Sequence, residues 1–162
     1  MSISPLDKTC TLVFLRKNDQ ILLAMKKRGF GANLWNGVGG KIEPGETTEQ
    51  ALVRETQEEI NVTPLTWEKV AVHDFVMDVD TSEPWHMYVQ AYLCYEWKGE
   101  PAESEEMAPQ WFNIRDIPYD QMWDDDSVWI PQVLRGRKLQ CLFNFTKENA
   151  MISAKLLIVD KI

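Results

Sequence analysis

The stretch from Thr47 to Thr63 constrains the fold of this chain most. It contains no glycine and no proline, the next breaker being Pro64, and Thr47 and Gln50 stand at capping-box spacing. A helix opening at Thr47 is therefore predicted. On that helix Glu55, Glu58 and Glu59 fall at i, i+3 and i+4, so three carboxylates share one face. Two unit charges about 4 Å apart interact by roughly 1 kcal/mol in water and about 4 kcal/mol at an effective dielectric of 20. A helix stabilised by its own surface would interleave lysines. This one offers Arg54, which can pair with Glu58 at i+4 or reach back to Glu46. A solvated acidic face is one reading. A site for a hard cation is the other, and the preceding segment favours it. Gly37-Val38-Gly39-Gly40-Lys41 lets backbone carbonyls approach a ligand closely, and oxygen donors from loop and helix together suit Mg²⁺, Mn²⁺ or Ca²⁺.

Charge and composition bear on the same question. The 162 residues carry 17 basic and 25 acidic side chains, a net charge of -8. Such a chain repels nucleic acid and anionic lipid, and a polyanionic substrate would need a cation between it and the protein. Cys10, Cys94 and Cys141 are widely spaced, without a CxxC pair, and His73 and His86 are the only histidines. These counts argue against a disulfide framework, a zinc knuckle or a histidine-built zinc site. The longest apolar runs, such as Leu156-Leu157-Ile158-Val159, are too short to span a membrane, and Met1 to Lys8 has no apolar signal-peptide core. The expectation is one cytoplasmic domain over residues 1–162, a monomer without nucleic-acid or membrane partners. A chain of this length buries roughly 70% of its unfolded surface.

Thr9 to Leu15 and Gln20 to Met25, around Asn18-Asp19, read as a hairpin, and the glycine-rich segment Lys26 to Gly40 as a loop with a short strand. Val70 to Met77, Met87 to Trp97 and Trp111 to Ile114 read as strands. Asp124-Asp125-Asp126-Ser127 supplies N-cap chemistry for a second helix running towards Lys138, in which Pro131 is tolerable only near the first turn. Leu139 to Phe145 and Met151 to Val159 read as a final hairpin. The predicted class is α+β, a mixed β-sheet between helices.

Gly40, Glu46, Arg54, Glu55, Glu58, Glu59 and Val62 fit the pattern GX5EX7REUXEEXGU, with U a bulky aliphatic residue. The chain thereby resembles the Nudix hydrolase family. It departs from the pattern at Thr56, in an aliphatic position, and at Asn61, where Asn tolerates the left-handed helix cap. The resemblance implies the Nudix fold and hydrolysis of nucleoside diphosphate derivatives with Mg²⁺, for which Mn²⁺ can substitute. It implies Glu55, Glu58, Glu59 and the Gly39 carbonyl as metal ligands, one of the glutamates as possible base, and Arg54 orienting the helix through Glu46.

Further segments resemble one branch of that family, the MutT homologues of animal type that hydrolyse oxidised purine nucleoside triphosphates. They are Met25 to Ala32, Trp35-Asn36-Gly37, Glu103 to Met107 and Met122 to Ser127. This likeness implies Glu106 as a further metal ligand, and Thr11, Lys26, Phe30, Asn36, Trp123, Asp125 and Asp126 as nucleotide-binding residues. Trp123 would stack on the base, while Asn36, Asp125 and Asp126 would read its edge. Two adjacent buried carboxylates do not both ionise, so the pair could donate as well as accept. Read singly, Trp123 is a core residue and the two aspartates are helix caps. The branch has proline where this chain has Asp124, and His73 falls where an aromatic residue would line the pocket. The expected reaction converts 8-oxo-dGTP or 2-hydroxy-dATP to the monophosphate and pyrophosphate. The alternatives are a Nudix hydrolase of a dinucleoside polyphosphate or nucleotide sugar, and a non-catalytic nucleotide sensor.

Overall fold

Asn18 takes the left-handed conformation, φ 54°, and lets strand β1 (Lys8–Lys17) turn back into β2 (Gln20–Lys26), with Lys17 opposite Gln20. This predicted hairpin begins the architecture in a computed structural model that describes residues 4–162. Residues 1–3, which open the segment read for a signal sequence, lie outside the described residues. The chain divides into two compact units. The first contains Thr11–Glu68 and Tyr92–Trp123; the second contains the chain up to Cys10, Lys69–Ala91 and Asp124–Ile162.

In the first unit β2 pairs antiparallel with β3 (Trp35–Asn36) on one stretch and with β7 (Met107–Asn113) along its whole length, while β4 (Val38–Lys41) pairs with β1. Helix α1 (Thr48–Ile60) follows. Its capping box is formed: the Thr47 hydroxyl accepts from the Gln50 N–H at 3.1 Å, and the Gln50 side chain accepts from the Thr47 N–H at 2.8 Å. Asn61 ends it in the left-handed conformation, φ 60°, as the sequence predicted. Ala51, Leu52, Thr56 and Ile60 form the buried face, which packs on β4 and β7. Thr56 occupies an aliphatic position without leaving a polar orphan, because its hydroxyl donates to the Leu52 carbonyl at 2.7 Å. Leu52 and Ile60 join Val13, Leu15, Leu22, Val38 and Met107 in one hydrophobic core. This anchoring fixes the carboxylate-bearing face of α1, which flanks the buried one and lies against Gly39 and Gly40 of β4.

Strands β5 (Thr63–Met77) and β6 (Trp85–Lys98) run from one unit into the other. Both are longer than predicted. β5 absorbs Pro64 near its beginning, and β7 starts at Met107 rather than Trp111. In the second unit β5 runs parallel to β8 (Lys138–Phe145), and β8 pairs antiparallel with β9 (Met151–Val159), so the sheet is mixed. Helix α2 (Asp126–Leu134) packs on β8.

Helix α2 departs from expectation at both ends. Asp125 lies in the helical region, φ -73° and ψ -24°, and its side chain makes no capping bond. The helix holds Pro131 in its interior and stops at Leu134, short of Lys138, where Gly136 turns the chain at φ 89°. The buried Asp125 carboxylate turns into the unit and accepts from the Trp129 indole N–H rather than from the first helical N–H groups.

Candidate functional site

The first unit gathers the carboxylates of α1 as the sequence predicted and gives each a donor. Arg54 clamps Glu46 with two bonds, Nε to Oε2 at 2.6 Å and Nη2 to Oε1 at 2.9 Å. The same guanidinium donates to Glu55 at 2.8 Å, to Glu58 at 3.3 Å and to the Lys41 carbonyl at 3.1 Å. Both pairings open to Arg54 in the sequence are therefore made. Bidentate bonding holds the Glu46 carboxyl down at about 2. Glu59 turns the other way, to the backbone of β4, and accepts from the Gly39 N–H at 2.9 Å. Burial pushes Glu59 up to about 7 despite that bond, and the negative charges of Glu55 and Glu106 add to the effect. Burial likewise raises Glu55, against the pull of Arg54.

The glycine-rich segment packs closely on its neighbours. A Cβ on Gly40 would meet the Glu55 carboxylate at 2.8 Å and push it aside, and one on Gly39 would meet the Thr11 carbonyl oxygen at 2.0 Å, which only glycine avoids. Among the described residues no three acidic, histidine or cysteine side chains converge tightly enough to hold a metal ion. Each carboxylate is turned to its own donor: Glu55 to Arg54, Glu59 to Gly39 and Glu106 to Arg28. The donor set nevertheless fits a hard divalent cation. It is all oxygen, it comes from one helix face and a loop, and the charges of Glu55 and Glu106 raise the cost of ionising Glu59.

The residues expected to bind nucleotide are distributed over both units. Thr11, Lys26, Phe30, Asn36 and Trp123 are in the first. Lys26 acts electrostatically on Glu59 and Glu106, which places a cation beside the carboxylates. Phe30 and Trp123 form a tilted aromatic pair with centroids 5.0 Å apart, and Phe30 is 42% exposed. Trp123 is thus no isolated core residue but half of an aromatic surface. The Asn36 side-chain oxygen accepts from the Gly37 N–H at 2.8 Å. Thr11 is buried, with its hydroxyl lacking a hydrogen-bond partner among the described residues.

Asp125 and Asp126 are buried in the second unit and share one donor. The Trp129 indole N–H lies 3.0 Å from Asp125 Oδ2 and 3.1 Å from Asp126 Oδ1. Burial raises the proton affinity of Asp125, and the charge of Asp124 adds to the rise. A carboxyl held in this way donates as readily as it accepts. His73 does not line an open surface. It is 2% exposed, caged by Phe75, Phe143 and Trp129, whose ring centre is 4.4 Å away. Neither ring nitrogen has a hydrogen-bond partner among the described residues, and burial pushes His73 down to about 3. Sequence reasoning missed Trp129 and Arg28 altogether. The i, i+4 spacing of Asp125 and Trp129 was the available signal for the first.

The NUDIX domain model matches residues 6–133. The chain belongs to the Nudix hydrolase family. Members of that family generally use divalent metals. This Nudix chain is 43% identical over 149 residues to an oxidized purine nucleoside triphosphate hydrolase of Danio rerio, a match covering 92% of this chain and 94% of that protein. It is 41% identical over 150 residues to the Mus musculus protein of the same name, covering 93% and 94%. Its fold is that of a MutT protein from Bacillus halodurans, with a TM-score of 0.83 and 24% identity over 92% of this chain and 97% of that one. Among the described residues no helix is long and apolar enough to cross a membrane.

Proposed function

We propose that this Nudix chain is a Mg²⁺-dependent pyrophosphohydrolase of oxidised purine nucleoside triphosphates, such as 8-oxo-dGTP and 2-hydroxy-dATP, acting as one cytoplasmic, monomeric domain. The observation carrying the reaction is the α1 carboxylate set, clamped by Arg54 on one side and by the Gly39 N–H on the other. The near full-length likeness to two oxidized purine nucleoside triphosphate hydrolases supports the substrate class.

Glu55, Glu58, Glu59, Glu106 and the Gly39 carbonyl would hold the cation. Bound there, a divalent metal would neutralise phosphate charge and lower the pKa of a water. Arg54 keeps the carboxylates oriented by tying α1 to Glu46 and to the Lys41 carbonyl. Lys26 adds a positive charge for the phosphates, and Trp123 offers an indole face to the purine. Such stacking contributes roughly 1–3 kcal/mol per base and reads no edge. Asp125, Asp126 and Asn36 read the edge by hydrogen bonds, and a carboxyl that keeps its proton near neutral pH accommodates both oxidised guanine and oxidised adenine.

Water attacks the internal phosphorus, so the products are a nucleoside monophosphate and pyrophosphate. Turnover of modified and unmodified nucleoside triphosphates in ¹⁸O-water, followed by mass analysis, tests the proposal. Monophosphate and pyrophosphate as primary products, with the label in one of them according to which phosphorus of the broken α–β bridge the water attacks, and preference for oxidised purines are expected. Release of inorganic phosphate with a diphosphate would refute the reaction, and equal turnover of dGTP would refute the substrate.

A further inference from the structure

In the first unit the basic segment Lys26–Arg28 and the acidic loop Glu103–Glu106 are joined side chain by side chain. The Lys27 ammonium pairs with Glu103 and donates to the Ser104 carbonyl at 2.7 Å, while the Lys27 N–H donates to the Glu106 carbonyl at 2.9 Å. Arg28 continues the pairing. Its Nε donates to Glu106 Oε1 at 2.8 Å, Nη2 lies 2.6 Å from the same oxygen, and Glu105 is 3.6 Å away. The carboxylate assigned above to the cation is therefore held by a guanidinium.

This pair differs from the Arg54 clamp in exposure. The Arg28 and Glu106 side chains are 60% and 43% exposed, against 28% and 14% for Arg54 and Glu46. Hydration nearly balances an exposed ion pair, so a divalent cation displaces it at little cost, whereas the half-buried Arg54 clamp stays in place. Glu106 also acts on Glu59 through space, so its charge is felt by the α1 set. A guanidinium released at that point stands one carboxylate away from the cation site. Its planar fork matches pairs of phosphate oxygens better than an ammonium does.

We propose that Arg28 exchanges partners: it holds Glu106 in the cation-free protein and passes to the substrate's polyphosphate when Glu106 turns to the cation. The proposal rests on the reading of Glu106 as a metal ligand, and the test separates the two. Mn²⁺ binding without nucleotide is measured by the electron paramagnetic resonance of free Mn²⁺. The four proteins compared are the parent, Arg28→Gln, Glu106→Gln and the double variant. Glu106→Gln should weaken Mn²⁺ binding, and Arg28→Gln should strengthen it about threefold, with no such gain once Glu106 is Gln. An equal gain in both backgrounds means that Arg28 acts as a distant charge and overturns the exchange alone. Unchanged Mn²⁺ affinity in Glu106→Gln removes Glu106 from the cation site and overturns both readings. In Mn²⁺, Arg28→Gln should also weaken a non-hydrolysable triphosphate analogue about tenfold while leaving the monophosphate within twofold. Equal loss for both ligands would place Arg28 elsewhere than on the departing phosphates.

Discussion

Two groups of carboxylates, one on each helix, are handled in opposite ways. Those of α1 project from a capped and well-anchored helix, are partly exposed, and meet strong donors: a guanidinium for Glu55 and Glu58, a backbone N–H for Glu59. Those at the start of α2 are 3% and 2% exposed, and both accept from one neutral indole N–H. The charge-assisted, bidentate bond keeps Glu46 ionised and so fixes Arg54, which in turn directs Glu55 and Glu58. Neutral donors such as the shared indole N–H compensate buried charge less than a guanidinium does, and burial raises the Asp125 carboxyl well above the usual carboxylate range, so a proton is retained there. Carboxylates oriented by a guanidinium and a backbone N–H suit a reaction site, and a buried carboxyl with an exchangeable proton suits a base-reading edge.

The largest expected effect breaks the first half of that comparison. Glu58→Gln or Glu59→Gln should lower turnover by about a thousandfold or more. Neither should unfold the protein, because removing one of three clustered like charges relieves repulsion on α1. Turnover and thermal midpoint, with and without Mg²⁺, measure both effects. Near-normal turnover would remove these residues from the reaction.

The second half is tested at the aspartates. Asp125→Asn and Asp126→Asn each freeze one hydrogen-bonding pattern, since an amide cannot trade donor for acceptor by protonation. A mismatched buried hydrogen bond costs about 1–3 kcal/mol, so preference between 8-oxo-dGTP and 2-hydroxy-dATP should shift roughly ten- to a hundredfold. Trp123→Ala should weaken both nucleotides alike, by a similar factor. The measurement is kcat/KM for both substrates and dGTP across pH. An unchanged substrate ratio and pH profile in both Asn variants would end the shared-proton account.

Two smaller effects sharpen the contrast through stability. Trp129→Phe keeps the ring but removes the donor common to Asp125 and Asp126, and should cost about 1–3 kcal/mol in urea unfolding. His73 is held neutral, down to about 3 from an ordinary 6.5. Between those values the unfolded chain takes up a proton that the folded chain refuses, so His73 makes stability fall as pH falls, by about 2 kcal/mol from pH 8 to pH 5. Asp125, raised above the usual carboxylate range, has the opposite slope: its contribution is lost as pH rises through its folded value. His73→Leu should therefore raise stability at pH 5 relative to pH 8 by about 2 kcal/mol, exposing the Asp125 slope. Urea midpoints at the two pH values decide this, and an unaltered pH dependence would show His73 to be solvated.

The sequence by itself determined what depends on residues near one another along the chain. Thr47 and Gln50 capped α1, Asn61 ended it, and the i, i+3, i+4 spacing put Glu55, Glu58 and Glu59 on one face, because a helix repeats every 3.6 residues wherever it is packed. The Asn18 hairpin was legible for the same reason, as was the pairing of Arg54 with Glu46 through the family pattern. Tertiary structure alone decided what depends on burial and on partners distant in sequence. Nothing local distinguishes Asp125 as a helix cap from Asp125 buried beneath an indole; the choice follows from where Trp129 packs. His73 reads as a pocket residue until Phe75, Phe143 and Trp129 close around it. Arg28 reads as one more surface cation until a loop 78 residues away brings Glu106 to it. Local hydrogen-bond geometry is encoded by spacing, whereas desolvation is a property of the assembled chain, and the ionisation of Asp125 and His73 and the partner of Arg28 are fixed by it.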